Sequence, residues 1–310
     1  MNQSIQTPQL SGFRNVSPFP WLGGKSRLAK TIISLFPPHV AYVEPFGGAA
    51  NVLLTKRPSK VEVYNDFSGL LVNFFRVLQD ANHRSALMDR LQWTPYARAE
   101  YARAVPLLDD PDPVVRAWAF FTAQCQGISG SGSFGKRNSN DWGYSRTHNQ
   151  AGAFRGHVDK LPSIAQRLLD VTIEHGNGVS TIRRWDSPGT LFYVDPPYAD
   201  TTRTNKSGRS AYHVEIEDDG HRDLVDALLG IQGMAILSGY RTHLYEPLEY
   251  AGWECREFDV DLAAAARVRT FNAMDEKGKA RRKRMECLWL SPGVVEAKCR
   301  KTRQCGLFSV

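Results

Sequence analysis

The chain has 310 residues, 42% hydrophobic and 23% charged, with a formal net charge of +7. That length buries a full core, as one large domain or a domain with an insertion. No apolar run approaches the ~20 residues of a membrane-spanning helix. The polar residues 1–15 contain no signal-peptide apolar core, and the five cysteines have no CxxC spacing, which argues against a disulfide framework or zinc site and for a cytoplasmic, reducing compartment.

Residues 1–15 read as disordered. A helix over about 25–36, a strand over 40–46, a helix over about 48–56, a strand over 60–64 and a helix over about 67–79 give the βαβα alternation of a parallel sheet. Residues 82–165 lack convincing strands: apolar spacing from Val114 to Cys125 reads as helix, and 126–156 is polar and glycine-rich. Alternation resumes with strands over 171–174 and 190–194, a helix near 219–229 and a strand over 234–237. Two further strands, near 255–260 and 286–290, flank a strongly basic stretch and are placed to pair as a hairpin. The expected organisation is an α/β domain (16–81 and 166–291) with a mostly parallel sheet and a C-terminal antiparallel hairpin. It is interrupted by a mainly helical recognition domain (82–165) and followed by a basic tail (292–310). No internal repeat is visible.

Chemistry concentrates at strand ends. The run Thr190-Leu191-Phe192-Tyr193-Val194 must stop at Asp195-Pro196-Pro197-Tyr198, because proline has no N–H for the ladder. The prolines hold a carboxylate, bare carbonyls and an aromatic ring in a stiff loop at the edge where open α/β sheets bind ligands. An acceptor-only cluster beside a flat ring suits an amino group on a planar heterocycle. Asp195 and the Pro196 carbonyl can accept its hydrogens while Tyr198 stacks on the ring. The first strand ends Glu44-Pro45-Phe46-Gly47-Gly48, where small residues suit either a tight strand-to-helix turn or close approach of a nucleotide. Asp66, about 20 residues downstream, is placed either to bind both hydroxyls of a ribose or to cap the next helix.

Taken in order, Pro20-Trp21-Leu22-Gly23-Gly24-Lys25, the Glu44–Gly48 loop, Asp66 and Asp195-Pro196-Pro197-Tyr198 resemble the motifs of the Dam-type DNA adenine-N6 methyltransferases. Leu237-Ser238-Gly239-Tyr240 and Met285-Glu286-Cys287-Leu288-Trp289 are similar to that family too, so the likeness covers roughly residues 18–291, loosely in the central insertion. The resemblance implies a Rossmann-like methyltransferase sheet, S-adenosylmethionine (AdoMet) as methyl donor, and transfer to N6 of an adenine flipped out of DNA. By position it places Trp21, Lys25, Glu44, Phe46, Gly47 and Asp66 on the cofactor. Asp195 and Pro196 fall on the target amino group, with Asp195 also close to the cofactor, and Tyr198 on the flipped base. One departure is Asn177-Gly178, where such enzymes often carry an Asp-Phe pair whose acid touches the cofactor's adenine amino group. Asn177 keeps an amide oxygen for that contact but not the charge.

Double-stranded DNA is the expected partner of the polar segments. Lys136, Arg137, Asn138 and Asn140 combine side-chain donors with glycine-rich backbone, which suits bases and phosphates or an uninvolved surface loop. The loop after Tyr198 carries Arg203, Lys206 and Arg209 and reads as a lid. The run containing Arg281, Arg282 and Lys283 fits a solvated hairpin tip or a phosphate contact. Gln304 followed by Leu307 and Phe308 is similar to the short peptides that dock on bacterial sliding clamps, although the two apolar residues equally suit packing on the enzyme's own body. Cytosine-N4 or RNA adenine transfer, and a DNA-binding protein that has lost catalysis, are the competing readings. A bacterial or phage-encoded enzyme is expected.

Overall fold

A computed structural model of the protein describes residues 17–21, 23–128, 141–197, 218–259 and 285–306, with 301–306 by backbone alone. Seven strands, β1 (Ala41–Glu44), β2 (Val61–Asp66), β3 (Thr172–His175), β4 (Thr190–Val194), β5 (Met234–Gly239), β6 (Glu254–Asp259) and β7 (Met285–Leu290), form one sheet in the order β3-β2-β1-β4-β5-β7-β6. The neighbours from β3 to β5 run parallel, whereas β7 is antiparallel to both β5 and β6. This is the expected Rossmann-like methyltransferase sheet with its terminal antiparallel pair. The strand order reverses between β1 and β4, which opens a crevice at their carboxyl ends.

Strand β4 is buried at every position, as a parallel strand covered on both faces must be. Its side chains alternate between faces: Leu191 and Tyr193 join one core cluster, Phe192 and Val194 the other. The first cluster runs without a break into the helical segment. Phe19 makes edge contacts with Phe74 on α3 (Gly69–Gln79) at 5.4 Å and with Phe120 on α6 (Pro113–Gln126) at 5.3 Å. The proline at the start of α6 and Asp112, which accepts from the Val114 and Val115 amides, define its first turn.

Three elements differ from the sequence expectation. The first helix, α1 (Ala29–Ser34), begins four residues late, because residues 26–28 form turns that let Lys25 reach into the sheet. Within the polar stretch 126–156 lies the start of a helix, Gln150–Val158, capped by Asn149 and buried through Phe154 and Val158. Residues Pro292–Gly306, expected as a tail, form a helix anchored by buried Val294, with the Val294 and Val295 amides donating to Ser291 O.

Candidate active site

The carboxyl ends of β1 and β2 build a rigid loop. Gly47 N donates to Asn65 O (2.8 Å) and the Tyr64 hydroxyl to Gly48 O (2.8 Å). Asp66 accepts from Gly48 N through Oδ2 (2.9 Å) and from Ser68 N through Oδ1 (2.7 Å). Its carboxylate therefore clasps the loop to the end of β2, with the Phe67 amide bearing on it as well. Burial pushes the Asp66 carboxyl up, and the amides of Ser68 and Gly48 partly offset that. A Cβ on Gly47 would lie 2.2 Å from Tyr64 Cε2, so only glycine fits against the ring. Ala50, at φ 54°, is the single non-glycine residue with positive φ among the described residues.

Glu44, the last residue of β1, is 2% exposed and accepts from the Tyr42 hydroxyl at 2.6 Å. Burial pushes its carboxyl up to about 8, with Tyr42, the Leu53 amide and Lys56 pulling the other way.

Asp195 follows β4 at the crevice with its side chain 19% exposed. Lys25 Nζ lies 2.8 Å from Asp195 Oδ1 and 3.1 Å from Glu286 Oε1 on β7, and it also donates to Gly23 O (3.2 Å). Glu286 Oε1 accepts from the Ser238 hydroxyl at 3.0 Å. Burial raises the Asp195 carboxyl to about 6, with Lys25 opposing and Glu286 adding to the rise. The sequence places Lys25 on a cofactor, and the fold joins its ammonium to the candidate catalytic carboxylate. Glu286 has no simple sequence signal as a site residue, because it sits inside an apolar strand and reaches the site only through sheet order.

On the other side of the loop, Asn177 Oδ1 accepts from Val179 N (2.8 Å) and Ser180 N (3.1 Å), capping the helix Gly178–Trp185. The amide oxygen expected to receive an adenine amino group is thus already spent on the helix, and the NH2 is the end left to face a ligand. A Cβ at Gly178 would lie 2.4 Å from Phe46 Cζ. The ring of Phe46 takes the space that a side chain at 178 would need.

The helical segment meets the site directly, with Gln124 Nε2 donating to Pro20 O at 2.7 Å, next to Trp21. Beyond α6, Gly127 bridges Trp142 and Ile128 N donates to Asp141 O (2.9 Å), so the residues flanking 129–140 pair with one another. Trp142 stacks on exposed Tyr144 at 6.2 Å, with Arg98 4.9 Å from its ring. The expected DNA contacts Lys136, Arg137, Asn138 and Asn140 lie outside the described residues, as do Tyr198, Arg203, Lys206, Arg209, Arg281, Arg282 and Lys283. Gln304 falls within the C-terminal helix rather than an extended approach, and Leu307 and Phe308 are again outside the described residues.

A sheet of this order, with a stitched glycine loop after β1 and a proline-bounded carboxylate after β4, defines a methyltransferase. The family model for the D12 class N6 adenine-specific DNA methyltransferases matches residues 21–233, and the chain belongs to that family. It is a DNA adenine methyltransferase. No curated protein is similar enough to the chain to count as a match. Strands β5 to β7, and with them Ser238 and Glu286, fall beyond the matched span. Among the described residues no helix is long and apolar enough to cross a membrane.

Proposed function

We propose that the protein transfers the methyl group of AdoMet to N6 of an adenine extruded from duplex DNA at a short specific sequence. The observation that carries this reading is Asp195: a carboxylate at the sheet's switch point, followed by two prolines, with Oδ1 tied to Lys25. Extrusion, at a cost of a few kcal/mol, is what brings a base edge to a carboxylate set this deep. Asp195 and the Pro196 carbonyl accept from the amino group, holding its nitrogen lone pair out of conjugation and in line for attack. Tyr198 stacks on the extruded base.

The crevice wall fits AdoMet. Bound there, AdoMet supplies an electrophilic methyl group. Glu44 offers a buried carboxylate that an ammonium would ionise, and Asn51 Oδ1 and Asn65 Oδ1 are buried acceptors with no hydrogen-bond partner among the described residues. Asp66 has lone pairs for ribose hydroxyls, while Trp21, Phe46 and Gly47 line the approach and Asn177 presents its NH2. Residues 82–165 serve as the recognition domain, and the basic residues between β6 and β7 contact phosphate.

Labelled AdoMet and unmethylated plasmid, followed by nucleoside analysis, test this reading with Asp195→Ala alongside. N6-methyladenine from the wild type alone is the expected result. Label on cytosine, or an active Asp195→Ala enzyme, overturns it.

A further inference from the structure

We propose that Glu286 is a positioning residue for methyl transfer: it draws the Lys25 ammonium to one side, so that Asp195 keeps a basic, correctly aimed oxygen for the adenine amino group. This rests on the reading of Asp195 as the acceptor of that amino group.

The geometry is specific. Lys25 and Glu286 are nearly sealed, with side chains 6% and 7% exposed, and the ammonium sits between Asp195 Oδ1 and Glu286 Oε1. Ser238 fixes the second carboxylate from β5. One buried cation divided between two carboxylates is an arrangement in which it neutralises neither fully by itself. It suits a reaction in which the amino nitrogen bonds the methyl carbon while that carbon's bond to the donor's sulfonium sulfur breaks, the bonding pair staying on the sulfur as a neutral thioether, and the nitrogen stays cationic until one of its protons leaves to Asp195 or water. With Glu286 absent, the whole charge of Lys25 would bear on Asp195 and weaken it as an acceptor just where positive charge develops. Glu286 touches neither base nor cofactor in this scheme and acts through Lys25.

The other titratable groups that bear on Asp195 are Glu44 on β1, Tyr193 on β4 and Tyr245 in the turn after β5. None of them pairs with Lys25 within salt-bridge distance. Glu286 raises the Asp195 carboxyl, so neutralising Glu286 lets Asp195 ionise at lower pH.

The test compares single-turnover methyl transfer from pH 5 to 8 for wild type, Glu286→Gln, Glu286→Asp and Asp195→Ala, at saturating AdoMet and duplex, with both Kd values measured. For Glu286→Gln the plateau rate should fall about tenfold with Kd values unchanged, and the acid limb should move to lower pH. Glu286→Asp, which keeps the charge but withdraws it by one methylene, should lose rate with its limb in the wild-type place. An unmoved limb in a folded Glu286→Gln enzyme overturns the proposal, whatever the rate. Should that variant fail to fold, a wild-type rate in Glu286→Asp overturns it instead. An active Asp195→Ala enzyme removes the underlying reading. An inactive one beside a normal Glu286→Gln enzyme sinks only the role of Glu286.

Discussion

Replacing Glu44 with glutamine should make the unliganded enzyme more stable in base while impairing its grip on AdoMet. Burial holds the Glu44 carboxyl at about 8 in the folded protein, against an ordinary 4.5. For a group whose folded value is raised, the stabilising contribution is complete below the unfolded value and disappears as pH climbs through the folded one. Between pH 4.5 and 8 the unfolded chain has given up this proton and the folded chain has not. Wild-type stability should therefore decline by about 1.4 kcal/mol per pH unit on account of this one side chain. The full span corresponds to at most about 5 kcal/mol, comparable with the whole stability of an ordinary domain. Glutamine keeps the shape and an acceptor for the Tyr42 hydroxyl, and it removes the titration. Urea unfolding at half-unit steps from pH 5 to 9 should show the Glu44→Gln minus wild-type difference rising with pH and levelling near 8. Parallel curves would refute the reasoning, because they would mean Glu44 is ionised in the empty site.

Asn177→Asp gives the cap one oxygen and leaves the other for an adenine amino group, so AdoMet affinity by calorimetry should tighten about tenfold, the worth of one charge-assisted bond. Gly178→Ala puts a methyl 2.4 Å from Phe46 Cζ and should weaken AdoMet binding by displacing that ring, without altering the product formed. Gly47→Ala collides with Tyr64 and should cost roughly 2 kcal/mol or more by denaturant titration. Ala50→Gly relieves a left-handed conformation and should raise stability by about 1 kcal/mol. If it instead lowers the midpoint, packing of the methyl outweighs the backbone strain.

The sheet was legible because its parallel strands are β-branched and aromatic runs that end at turn residues, as β4 does before Pro196, although the run over 40–46 overshoots β1, which stops at Glu44 before Pro45. Those stops are also where the candidate site residues stand, so reading the strands reads much of the site. The hairpin was legible from the apolar run of β7 and its place across the basic stretch from 255–260, although β6 itself is mostly charged. Helix Pro292–Gly306 was not legible, because Lys298, Arg300, Lys301 and Arg303 make the segment read as a solvated basic tail, and the burial of Val294 in the core decides it. The helix at Gln150 was hidden by Gly152 and Gly156, which lower propensity, and Phe154 with Val158 at i,i+4 was its one apolar signal. Long-range pairing explains the remaining misses. That Lys25 meets Asp195, and that Phe46 fills the space over Gly178, follows from sheet order and loop path, neither of which local sequence encodes.

The ion cluster also has a timetable. Its members come from distant parts of the chain: Lys25 and Asp195 are 170 residues apart, and Glu286 comes later still, on β7. β7 pairs with both β5 and β6, so its glutamate reaches the ammonium only once this strand has docked on β5, a contact of high sequence separation. A nascent or prematurely terminated chain carries the glycine loop and Asp195 but has an unsplit sheet edge and a lysine with one carboxylate instead of two. On the proposed role of Glu286, a chain cut before β7 would keep Asp195 and lose the group that tempers its lysine.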